Sequence, residues 1–204
     1  MSAELRFDGK VALVTGGGVG LGRAYSLLLA ERGAKLVVNG NFRESGAGPE
    51  ADVAAEICDQ GGEAIGVNGS VSDDTAARRM VEEAVDRFGR LDILINNAGI
   101  GAMSPLIFDA PDENTQLLIE NHLYGHLRMA RAAFPHLAKS GAGRIVTTGS
   151  SVGMGWESPA GWDGCYSVAK SSLFGATRQL AGAGAPHGIK VNMIMPWSIT
   201  PLVE

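Results

Sequence analysis

Cysteine is nearly missing from this 204-residue sequence. Only Cys58 and Cys165 occur, which excludes a disulfide-stapled scaffold, and neither has companions at metal-ligand spacing. Two reduced thiols in a reducing compartment, the cytoplasm, are therefore expected, with no metal site. No apolar run reaches the ~18–20 residues of a membrane span, so the membrane is not an expected partner. An excess of positive charge is also lacking: 17 Lys and Arg face 22 Asp and Glu, a net charge of −5. Nucleic acid is thereby disfavoured as the main partner, because a phosphate backbone calls for a basic footprint. Met1 to Lys10 is too polar for a secretory signal, and Leu202-Val203-Glu204 matches no peroxisomal or ER-retention address.

Short β-branched runs alternate with longer amphipathic stretches. Val11–Val14, Lys35–Val38, Ala64–Val67, Ile93–Ile95, Arg144–Thr147 and Lys190–Ile194 read as buried strands. Helical patterns lie between them at Leu21–Arg32, Glu50–Gln60, Asp73–Phe88, Asp112–Lys139 and Tyr166–Ala183. In the third, Ala76, Met80, Ala84 and Val85 are expected near one face. Such alternation predicts an α/β fold: a Rossmann-type, doubly wound parallel sheet covered by helices on both faces. With no linker, repeat or charge run to divide it, the chain reads as one domain over residues 1–204.

The first strand runs into Thr15-Gly16-Gly17-Gly18-Val19-Gly20-Leu21-Gly22, and a helix follows. Glycine permits tight turning and close approach to a pyrophosphate, and the helix N-terminus offers free N–H groups. The spacing departs from G-x-G-x-x-G and fits T-G-x-x-x-G-x-G, on Thr15, Gly16, Gly20 and Gly22. Thr15, Gly16, Gly18, Gly20, Leu21 and Gly22 are the candidate cofactor contacts in this loop. No carboxylate stands where the second strand ends at Asn39-Gly40-Asn41, although one is expected there for the ribose hydroxyls. Arg43 just beyond is either a partner for the 2′-phosphate of NADP or a solvated loop arginine.

Tyr166 and Lys170 are spaced i, i+4 and so share a helix face. A tyrosine is a poor base near neutrality, and a neighbouring ammonium favours its phenolate. Ser150 follows the fifth strand, at the end that faces the ligand crevice of a parallel sheet. Its hydroxyl is suited to meet a substrate oxygen where charge develops, or simply to cap a turn. The loop from Gly153 to Asp163 adds Trp156 and Trp162, either as an apolar substrate wall or as packing over the sheet end.

Taken in order, the loop Thr15–Gly22, Asn96-Asn97-Ala98-Gly99, Ser150, Tyr166 with Lys170, and Pro196-Trp197-Ser198-Ile199-Thr200 resemble the short-chain dehydrogenase/reductase family over residues Arg6–Thr200. Within it, Leu5–Lys10, Gly20–Tyr25 and His122–Gly125 look like the hydroxyacyl-CoA dehydrogenase domain of peroxisomal multifunctional enzymes and their bacterial relatives. The resemblance implies an NAD- or NADP-dependent oxidoreductase interconverting a secondary alcohol and a ketone, with a 3-hydroxyacyl thioester as one substrate class. It assigns catalysis to Ser150, Tyr166, Lys170 and His122. Cofactor contacts fall to the loop above, to Asn97, Ala98 and Gly99, to Tyr166 and Lys170, and to Pro196, Ile199 and Thr200. At His122 many members carry an asparagine whose backbone carbonyl holds a lysine-linked water; Asn121 is the rival assignment. A homo-oligomer formed through the long helices is also implied.

Three departures from the family support the alternative, a non-catalytic member that binds nucleotide or subunits. Gly40 replaces the aspartate of NAD-preferring relatives, and Gly69 replaces an acidic residue that meets the adenine. The chain also stops at Glu204, before the family's final helix and strand, whose absence is expected to expose a sheet edge and thin the pocket lid.

Overall fold

The computed structural model describes residues 5–41, 48–101, 111–155 and 164–196. Six strands form one parallel sheet: β1 (Val11–Val14), β2 (Lys35–Gly40), β3 (Ala64–Asn68), β4 (Ile93–Asn96), β5 (Arg144–Thr148) and β6 (Lys190–Ile194). Their order is β3-β2-β1-β4-β5-β6. In register, Leu13 lies between Val37 of β2 and Leu94 of β4. The chain builds outward from β1 to β3, then returns to place β4 on the other side of β1. A crevice opens above the C-terminal ends of the strands at that reversal. This is the Rossmann-type α/β sheet that the alternation predicts.

All four side chains of β1 are buried because both faces of the sheet are covered. Val11 and Leu13 pack with Met80, Val81, Met129 and Leu137 on one face. Ala12 and Val14 join Leu36, Val53 and Ile57 on the other. Helices α1 (Gly20–Glu31) and α2 (Pro49–Asp59) cover this second face, whereas α3 (Asp74–Phe88) and α5 (Gly125–Lys139) cover the first.

Local chemistry sets the helix limits. Asp73 caps α3 by accepting from the Thr75 and Ala76 N–H groups at 2.8 and 3.2 Å. Gly89, at φ +78°, ends the helix in the left-handed region. Its buried stripe is Ala77, Met80, Val81 and Ala84. The expected face was thus set slightly askew, since Ala76 and Val85 lie at its margins and an i, i+3, i+4, i+7 stripe starts at Ala77.

The predicted Asp112–Lys139 helix is interrupted. It runs as α4 (Asp112–Ile119), a π-helical turn over Glu120–Tyr124, and then α5. The final helix, α6 (Gly164–Gly184), crosses beside α4 and packs on β6. Among the described residues, no helix is long and apolar enough to cross a membrane.

Candidate active site

The glycine loop is fastened to the neighbouring strand by side chains. Thr15 Oγ1 donates to the Ile95 carbonyl at 3.2 Å and accepts from the N–H groups of Asn97 and Ala98 at 2.9 and 3.0 Å. Asn97 Nδ2 returns the contact to the carbonyls of Thr15 and Gly16 at 3.0 and 3.3 Å. Gly16 takes φ +61°, and a Cβ on Gly22 would collide with the Gly16 carbonyl. The loop therefore lies flat against the start of α1. That helix begins at Val19 with no side-chain cap and no acidic residue in its first turn, leaving its N–H groups free for an anion. An open backbone cradle beneath an uncapped helix is a fitting seat for a dinucleotide pyrophosphate.

Across the crevice, β5 ends at Thr148 and leads to Ser150. The serine Oγ accepts from Val152 N–H at 3.3 Å, and its hydroxyl is near enough to the Tyr166 phenol to lower that group's proton affinity. Ser150 thus caps the short helical turn that follows β5. Lys170, one helical turn beyond Tyr166, is almost fully buried and donates from Nζ to the Thr148 carbonyl at 2.9 Å. Its ammonium lies 5.5 Å from the centre of the Tyr166 ring.

Burial governs the proton affinities of this pair. It pushes Lys170 down to about 8. It pushes Tyr166 up to about 12, against the smaller opposing effect of the nearby Ser150 hydroxyl. Burial dominates the phenol, so the lowering expected from the lysine does not prevail in this arrangement, where the ammonium is bonded to the Thr148 carbonyl. Tyr166 is held here in its protonated form.

Two buried histidines line the floor. His122, inside the π-helical turn, donates from Nε2 to the Ile100 carbonyl at 2.9 Å, and its ring meets the Tyr166 ring edge-on at 5.3 Å. A Cβ on Gly99 would stand 2.5 Å from His122 Cε1, so the glycine makes room for the ring. His126 donates from Nε2 to the Ala98 carbonyl at 3.1 Å, while its own carbonyl accepts from Asn96 Nδ2 at 3.0 Å. Burial, then the charge of Lys170, pushes both imidazoles toward the neutral form: His122 well below its usual value and His126 to about 3. Asn121 instead bonds its own helix, at the Leu117 carbonyl, and is half-buried.

A short chain dehydrogenase family model matches residues 10–202. The chain belongs to the short-chain dehydrogenase family, whose members are NAD(P)-dependent oxidoreductases. It is 40% identical over 208 residues to the peroxisomal multifunctional enzyme type 2 of Drosophila melanogaster, covering 98% of this chain and 33% of that one. A 3-oxoacyl-acyl-carrier-protein reductase of Synechocystis is 36% identical over 187 residues, covering 92% and 73%. The crystal structure of a short chain dehydrogenase from Burkholderia cenocepacia in complex with NADP superposes at TM-score 0.87, with 33% identity, covering 97% of this chain and 78% of that one. The chain thus spans about a third of the length of the Drosophila enzyme it matches.

In this short-chain dehydrogenase, Thr15, Gly16, Gly18, Gly20, Leu21 and Gly22 lead from β1 into α1, Asn97 and Ala98 bond to Thr15, and Gly99 lies against His122, whose ring meets Tyr166; Lys170 follows one helical turn beyond Tyr166, and Ser150 follows β5. Pro196 follows β6. Ile199, Thr200, Arg43, Trp156 and Trp162 lie outside the described residues. Sequence reasoning missed Asn39 and His126. Asn39 Oδ1 accepts from Gly16 N–H at 3.3 Å, and its Nδ2 reaches the carbonyls of Gly40, Val67 and Gly69 at 2.9, 3.1 and 2.9 Å. One buried amide thus ties the glycine loop to the ends of β2 and β3. Its signal was its place at a strand end, where a search confined to carboxylates passes over it.

Proposed function

We propose that this chain is an NAD(P)-dependent oxidoreductase interconverting a ketone and a secondary alcohol, with 3-oxoacyl and 3-hydroxyacyl thioesters as the substrate class. The carrying observation is the meeting of Ser150, Tyr166 and Lys170 at the end of β5. A bound nicotinamide coenzyme supplies the hydride, which no side chain here can provide. In reduction, the Ser150 hydroxyl orients the carbonyl oxygen, and Tyr166, held protonated, delivers its phenolic proton to that oxygen as the carbon takes the hydride. Protonated Lys170 stabilises the phenolate that remains, and its value near 8 suits it to return a proton. His122 acts through position, supporting Ile100 from below and the edge of the Tyr166 ring from beside it.

The thioester class is supported by the likeness to the Synechocystis reductase. Exposed Leu117, Tyr124 and Val168, on α4, the π-helical turn and α6, support pairing of two copies through these helices, which sedimentation would test. For activity, the purified chain is mixed with NADH or NADPH and either an acetoacetyl thioester or a simple ketone, and loss of nicotinamide absorbance is followed. Turnover that is faster with the thioester is expected. Coenzyme binding without turnover on any ketone would favour the non-catalytic alternative.

A further inference from the structure

A carboxylate is missing from the end of β2, yet one stands in the space it would fill. Glu50 lies in the first turn of α2, only 2% exposed. A Cβ built on Gly40 would collide with Glu50 Oε2. The side chain therefore lies directly over the strand end where a ribose-binding acid is expected. Its Oε1 accepts from Asn68 Nδ2 at 3.4 Å, a long contact, and its Oε2 has no partner among the described residues. A buried acceptor left open is costly and calls for an explanation.

The surroundings supply one. A Cβ on Gly18 would come within 2.6 Å of the Glu50 backbone nitrogen, so the glycine loop touches the backbone of Glu50 itself. Glu50 thus stands between the pyrophosphate cradle and the end of β2, the position the adenosine ribose must take when the phosphates rest on α1. Its place in the first turn of α2 also favours negative charge there.

We propose that Glu50 supplies from α2 the carboxylate that grips the adenosine ribose hydroxyls, in place of a side chain at Gly40, and that it makes the chain select NAD over NADP. The inference rests on the coenzyme-binding reading above. Gly40 and Glu50 then form one device: the glycine vacates the strand end so that the glutamate can occupy it. A 2′-phosphate would bring roughly two negative charges against the same carboxylate, so the NADP bound by the Burkholderia protein is not the coenzyme expected here.

The test is fluorescence titration of the full chain with NADH and with NADPH, with thermal melts as a folding check. The wild type should bind NADH at least about tenfold more tightly. Glu50→Gln, nearly isosteric, should weaken NADH binding by roughly tenfold and bring the two coenzymes close to parity. Gly40→Asp combined with Glu50→Ala returns the carboxylate to the strand and should restore NADH preference, and this double variant serves if the single one fails to fold. Equal or tighter wild-type binding of NADPH overturns the proposal, as does a Glu50→Gln protein that keeps its discrimination or a folded double variant that does not prefer NADH. Binding of neither coenzyme is a different result, since it removes the oxidoreductase reading and the proposal with it.

Discussion

At the scale of single residues, the site is a set of proton affinities fixed by burial. Tyr166, pushed up to about 12, stays protonated across the physiological range, so the acid needed for carbonyl reduction is always present. Its loss in Tyr166→Phe should lower kcat by about 10²–10⁴-fold, while NADH affinity measured by fluorescence changes little. Ser150→Ala removes both the substrate-facing donor and the turn cap, and a fall in kcat of about 10²–10³-fold is expected. On the proposed mechanism, Lys170 sets the pH dependence. Burial brings it down to about 8, so it loses its charge as pH rises through that value. The neutral amine no longer stabilises the phenolate left on Tyr166 after proton transfer, and the rate of reduction should decline above that pH. A rate profile that stays level well into the alkaline range would show that another group carries this charge.

At the scale of elements, strand ends and their loops carry the function. The Thr15–Gly22 loop has space only for glycine at Gly22, since a Cβ there would meet the Gly16 carbonyl and stand 2.7 Å from Asn97 Nδ2. Gly22→Ala should destabilise the fold by about 1–3 kcal/mol in urea melts and reduce NADH binding, because the loop must lift away from Asn97. Asn39→Leu belongs with it: the substitution removes one hydrogen bond from each of three carbonyls and from the Gly16 N–H. These elements were unequally legible in the sequence. The six strands and the glycine loop could be read because burial on both faces writes a continuous apolar run, and close backbone approach writes glycine. The break at Glu120–Tyr124 could not, because a π-helical turn inserts a single residue without altering composition or requiring proline. Nor could the role of Glu50, which depends on α2 laying its first turn over Gly40, a contact that no spacing rule along the chain encodes.

At the scale of the whole molecule, the same burial that tunes the site couples stability to pH. His126 is fully enclosed and anchors the Ala98 carbonyl in its neutral form, with its pKa pushed down from 6.5 to about 3. Below about 6.5 the unfolded chain takes up a proton that the native chain refuses until about 3. The unfolded state binds more protons throughout that interval, so native stability falls as pH falls across it. The ceiling for this one group is on the order of 5 kcal/mol. His122, shifted in the same direction, adds to the effect. Asp92 acts in a separate range. Burial alone would raise its carboxyl, but Arg90, the Val11 N–H and Lys10 outweigh that and hold it below 3.8, so the stability it gives is lost only as pH falls through this lower value. Urea melts between about pH 7 and about pH 4.5 isolate the histidines, because Asp92 stays charged there. The wild type should lose stability steadily over this span. His126→Gln keeps an N–H for the Ala98 carbonyl and removes the titration, so its loss should be distinctly shallower. Parallel curves for the two proteins would mean that His126 accepts a proton in the native state, and that the segment bearing Ala98 and Gly99 is less tightly closed over it than this geometry requires.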